Sequence, residues 1–106
     1  MRRWRRGVLS RICALARRRR VRFTHKAVRE LAELGLDEED GRDVLATLAG
    51  ADSAGRVRSE ISGEWMYVFK PVVGSMLIYM KVVLRADCIV VSFHEEGHGD
   101  GDEGSE

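Results

Sequence analysis

No uninterrupted apolar stretch in these 106 residues approaches the roughly 18–20 needed to span a bilayer, so the sequence offers no candidate transmembrane helix. The opening Met1-Arg2-Arg3-Trp4-Arg5-Arg6 is basic like the entrance of a secretory signal, yet Arg11 interrupts the apolar run that would have to follow. A cytoplasmic protein without membrane contact is the expectation. Cysteine is scarce: Cys13 and Cys88 lie far apart, each in an apolar periodic context, which favours two buried reduced thiols over a disulfide. His25, His94 and His98 are scattered, so the chain shows no metal-ligand spacing.

Charge of one sign is missing from each end. Residues 1–25 hold ten arginines and no acid, whereas residues 95–106 hold six acids and no Lys or Arg. The formal net charge of +1 therefore averages over a lopsided layout, and residues 1–94 carry eighteen bases against eleven acids. Such a basic body suits a polyanionic partner. A hydrophobic fraction of 44% with 33% charged residues excludes global disorder.

The chain is long enough for one core, and residues 1–94 read as a single domain followed by a flexible Gly- and acid-rich tail, 95–106. Val8, Leu9, Ile12, Cys13, Leu15 and Ala16 recur at helical spacing and predict an amphipathic helix over 7–19. Val21-Arg22-Phe23 is at most a small strand. Thr24 can cap a helix over 25–34 that Gly35 ends, and Asp37 a third helix running to about Ala49. From Arg56 the period falls to two, predicting strands near 56–61, 65–70, 76–85 and 88–94. The fold class is α+β: three N-terminal helices packed on one face of a mainly antiparallel sheet of about four strands.

Alternation assigns Ile78, Met80, Val82 and Leu84 to the core face, and Tyr79, Lys81, Val83 and Arg85 to the other. In the last strand it sets Ile89, Val91 and Phe93 against Cys88, Val90, Ser92 and His94. One face thus collects Tyr79, Lys81, Ser92 and His94, and Lys70, Arg56 and Arg58 are expected to extend it as a basic patch. The bland alternatives are solvated sheet surface for Lys81 and Arg85, an aromatic cross-strand contact for Tyr79, a structural or incidental role for His94, and soluble edge-strand positions for Arg56 and Arg58.

Leu34-Gly35-Leu36-Asp37, Trp65-Met66-Tyr67-Val68-Phe69-Lys70-Pro71, Tyr79-Met80-Lys81-Val82 and Ile89-Val90-Val91-Ser92-Phe93-His94 resemble, in order and spacing, the MqsR family of toxin ribonucleases. The resemblance covers about residues 8–96. It implies a RelE-like toxin fold and a metal-independent endoribonuclease that cleaves messenger RNA and so inhibits translation. It implies no cofactor, and a cognate antitoxin as partner in a hetero-oligomer. Carried over residue by residue, the family's tyrosine is Tyr79, followed by Lys81. His94 stands where the family has a lysine, Met66 where it has a glutamine, and Arg56, or else Arg58, near its first basic position. The implied catalytic set is Tyr79, His94, Lys81 and Arg56, with Arg58, Lys70, Met66 and Ser92 as substrate contacts. A noncatalytic nucleic-acid-binding module and a protein that binds an acidic partner are the alternatives the residues leave open.

Overall fold

The apolar stripe of the first helix starts one turn earlier than Val8. Trp4 lies four residues before Val8 and packs on Tyr67, ring centroids 5.7 Å apart, so in the computed structural model, which describes residues 3–97, α1 runs Arg3–Arg17. Ile12, Leu15 and Ala16 are its buried residues. The strand β1 (Val21–Phe23) follows, then α2 (His25–Glu33), whose first turn is capped by the Thr24 hydroxyl accepting from the Ala27 N–H at 3.1 Å. Gly35, at φ 77°, lets the Leu36 N–H return to the Leu31 carbonyl and closes that helix.

Helix α3 (Glu38–Ala46) opens on a reciprocal capping box: Asp40 N–H donates to Asp37 and Asp37 N–H donates to Asp40, both at 2.9 Å. It ends earlier than the expected Ala49, because the Ala49 N–H turns to the Asp52 carboxylate and starts a 3-10 turn over Gly50–Asp52. Gly41 sits inside α3 because the Phe23 ring lies against it; a Cβ there would stand 2.8 and 2.9 Å from ring carbons. Gly41→Ala is therefore expected to lower stability by about 1–3 kcal/mol despite alanine's better helix propensity, measurable as a lower urea midpoint.

The remaining strands are β2 (Ser53–Arg58), β3 (Trp65–Phe69), β4 (Val72–Val73), β5 (Met76–Leu84) and β6 (Cys88–Glu95). The sheet has six strands where about four were expected, in the order β1-β6-β5-β3-β2 with β4 paired to the start of β5. The additions are β1, which joins β6 in parallel, and the two-residue β4. All other pairings are antiparallel. The helices supply Ile12, Leu15, Ala27, Leu31 and Leu45 to a core completed by Phe69, Ile78, Met80, Val82, Val90 and Phe93 from one face of the sheet.

One irregularity decides which side chains leave that core. Val82 pairs with Val90 but Lys81 pairs with Ser92, so Val91 is a bulge residue. The bulge resets alternation within β6: Cys88 and Val90 are buried in the core, and so is Phe93 beyond it. Uniform alternation had put Cys88 and Val90 with Ser92 and His94, and the structure corrects that grouping. Both cysteines are free, and burial pushes the Cys88 thiol up to about 12.

Glu95 closes β6 rather than opening a tail, and the rest of the acidic segment, from His98, lies outside the described residues. Among the described residues, no helix is long and apolar enough to cross a membrane.

Candidate active site

On the sheet face opposite the core, register brings Tyr79 beside His94 and Lys81 beside Ser92. The phenol and imidazole rings stack with centroids 5.2 Å apart and planes inclined by 16°. His94 Nδ1 lies 3.0 Å from the Glu95 carbonyl, which can only accept, so Nδ1 carries the proton. In the neutral ring Nε2 is then a bare lone pair, and it is buried without a hydrogen-bond partner among the described residues. An unengaged imidazole nitrogen is chemically able to take a proton, and because this one is buried, a substrate hydroxyl reaches it only once the side chains covering it shift.

Lys81 lies between Val68 of β3 and Ser92 of β6. It is only 1% exposed and Ser92 is fully buried, so neither presents a surface on which a large substrate could bear. Period-two alternation gave their face correctly. It carries no information on depth.

The cation that reaches this site from outside the sheet is Lys26, which sequence reasoning did not single out. Its Nζ is 2.9 Å from Ser92 Oγ and 3.5 Å from Glu30, one turn along α2. Because β1 ends at Phe23, the edge of β6 beyond Val90 is open, and α2 closes it: Thr24 donates to the carbonyls of Val90 and Val91, and the Phe93 N–H donates to Glu30 Oε1 at 2.8 Å. The signal that was available is Glu30 itself, a carboxylate beside Ala27 and Leu31 on the buried stripe of α2. Glu30→Ala should cost about 1–3 kcal/mol by orphaning a buried backbone donor, whereas Glu30→Gln keeps the acceptor and should cost less. Urea unfolding of the two variants side by side checks the difference.

Lys70 continues the alternation of Met66 and Val68 toward this face and pairs with Glu96 at 3.2 Å. Met66 itself lies opposite Val83, also on this face, but removed from the Tyr79–His94 pair and without a polar hydrogen to offer.

Arg56 and Arg58 do not join this group. Arg56 pairs with Tyr67 and Tyr67 with the core residue Val82, which puts both arginines on the helix-bearing face. There the Arg56 guanidinium carbon lies 4.5 Å from the centroid of Trp4 and 3.9 Å from that of Trp65, and Arg58 lies 4.1 Å from Trp65. The expected continuous basic patch is corrected accordingly: Tyr79, Lys81, Ser92, His94 and Lys70 share one face, and the two arginines occupy the other.

Elsewhere acids answer arginines. Glu64 takes two bonds from Arg85, at 2.7 and 2.8 Å, and is held at about 2 by them; Glu39, bonded by Arg19 and Arg42, is held at about 2 as well.

Residues 7–95 match the family model described as "Motility quorum-sensing regulator, toxin of MqsA". No curated protein matches the chain.

Proposed function

The chain belongs to the MqsR toxin family, the toxins of toxin–antitoxin pairs, and on that premise we propose that it is a metal-independent endoribonuclease that cuts messenger RNA and is neutralised by a cognate antitoxin. The observation that carries this reading is the Tyr79–His94 stack with a bare imidazole Nε2, on the same sheet face as the buried Lys81.

The chemistry that fits is attack of an RNA 2′-hydroxyl on the adjacent phosphorus: the new O–P bond forms as the bond to the 5′ oxygen breaks, leaving a 2′,3′-cyclic phosphate and a 5′-hydroxyl. His94 Nε2 takes the 2′ proton and, as imidazolium, can return a proton to the leaving 5′ oxygen. Tyr79 orients the imidazole through its face and offers a hydroxyl to the sugar or phosphate. Lys26 and Lys70, which retain exposure, meet phosphate oxygens. Lys81, buried on the same face, acts as fixed positive charge that favours the negative charge building on the phosphorane, without touching the substrate.

The test is incubation of the full chain, freed of any partner and in the presence of chelator, with RNA of defined sequence. Protein-dependent fragments ending in cyclic phosphate, abolished by a 2′-deoxy substitution at the cut site, support the proposal. Stable binding with intact RNA would instead favour the noncatalytic module, which Met66 in the family's glutamine position also favours.

A further inference from the structure

The arginines that left the catalytic face form a surface of their own. Contacts run Arg5–Trp4–Arg56–Trp65–Arg58, with guanidinium-to-ring distances of 5.4, 4.5, 3.9 and 4.1 Å. We propose that this ladder of guanidinium and indole planes is a docking platform for single-stranded RNA, separate from the cleavage site and on the other face of the sheet. It rests on the ribonuclease reading only in taking RNA as the single strand.

Three observations carry it. The first is planarity. Arg56 comes from edge strand β2, and its guanidinium lies over the rings of both Trp4 from α1 and Trp65 from β3. With its faces engaged, further interaction falls to its N–H edge, which fits phosphate oxygens, while the exposed Arg58 at the end of the ladder has a guanidinium plane on which a base can stack.

The second is the distribution of carboxylates. Glu39 answers Arg19 and Arg42, Asp87 answers Arg20 and Arg22, Glu64 answers Arg85, and Glu96 answers Lys70. Among the described residues no carboxylate pairs with Arg3, Arg5, Arg6, Arg56 or Arg58. Arg11, Arg17, Arg18 and Arg29 likewise pair with no carboxylate among the described residues, but it is Arg5, Arg56 and Arg58 whose uncompensated charge lies against aromatic rings. The third is an orphan donor: Arg5 Nε is buried and has no acceptor among the described residues. An acidic protein segment could satisfy the charge, but only nucleic acid uses both the charge and the stacked planes.

The chain has two tryptophans, Trp4 and Trp65, and both belong to the ladder, so selectively excited tryptophan emission reports on this surface. The probe is an end-labelled octanucleotide carrying 2′-O-methyl at every position, which cannot be cut through its 2′ oxygen. Titrated against the full chain, it should quench tryptophan emission along the same curve as the label's anisotropy. Arg56→Ala/Arg58→Ala should weaken binding about tenfold or more and reduce the slope of log affinity against log salt by about 1.4. Arg56→Lys/Arg58→Lys should keep the slope and still lose affinity, because charge stays and planarity goes. If the alanine pair unfolds, the lysine pair and Arg58→Ala alone, at an exposed side chain, carry the test, with melting curves as the control.

Binding by anisotropy with unchanged tryptophan emission would overturn the proposal. So would undiminished affinity in the folded variants, or polyglutamate displacing the oligonucleotide and quenching equally well, which would mark an acidic-protein surface. A chain that fails to cut ribo-oligonucleotides yet passes these binding tests leaves the ladder standing and removes the ribonuclease reading. A chain that cuts them with an unchanged KM in the arginine variants does the reverse.

Discussion

His94→Ala is expected to slow RNA cleavage by about 10²–10⁴-fold while leaving the protein folded and its RNA affinity nearly unchanged. The magnitude follows from geometry. Nδ1 is committed to the Glu95 carbonyl, so the ring keeps one nitrogen, Nε2, which is buried and has no hydrogen-bond partner among the described residues. Removing the imidazole deletes the acid–base group but leaves Lys26, Lys70 and the rest of the sheet face in place, so the loss should fall on kcat rather than KM. Tyr79→Phe is the informative companion. It keeps the ring that stacks at 5.2 Å and removes only the hydroxyl, so a small effect would mean that the phenol serves to hold the imidazole. Single-turnover cleavage of a short RNA, with circular dichroism to confirm folding, separates these outcomes. Wild-type rates in folded His94→Ala would sink the assignment.

The residues of this site differ in how far the sequence revealed them. Tyr79 and Lys81 were legible because β5 alternates without interruption from Met76 to Leu84, and Ser92 and His94 because they lie beyond the Val91 bulge in a locally regular stretch. Cys88 and Val90 were assigned to the wrong face for the same reason: a bulge adds one residue without altering composition, so pattern alone cannot show where alternation resets. Arg56 and Arg58 went astray across the hairpin. Their strand ends at Arg58 and its ladder is shifted by a second bulge between Ser53 and Gly55, so their face is set by register against β3 rather than by spacing from it. Lys26 became visible only with the parallel β1–β6 pairing, a contact between residues nearly seventy positions apart that carries α2 to the open edge of β6. Strand periodicity tells which side a residue takes. It does not tell what arrives there from elsewhere in the chain, or how deep an ammonium such as that of Lys81 will lie.

Core and site are built from the same eight-residue strand, which sets the second large expectation: Phe93→Ala should destabilise the protein by about 3–5 kcal/mol. Phe93 is fully buried opposite Met80 and within the cluster that Leu31, Leu45 and Val90 complete, so losing the ring removes apolar burial and leaves a cavity among packed neighbours. Domains of this size commonly have only about 5–15 kcal/mol in total, so the variant should unfold at much lower urea with little change in slope. Phe93→Leu, which refills most of the volume, should cost under about 1.5 kcal/mol. The functional consequence is local as well as global. Ser92 and His94 flank Phe93 and point to the opposite face, while the Phe93 N–H is held by Glu30, so the ring is the anchor that fixes both site residues against the helix layer. Cleavage by Phe93→Ala, measured at a temperature where it remains folded, should therefore fall further than the folded fraction accounts for, and Phe93→Leu should restore it. An alanine variant that lost stability but kept full activity per folded molecule would show that strand pairing with β5 alone positions His94, and that the core beneath it serves stability only.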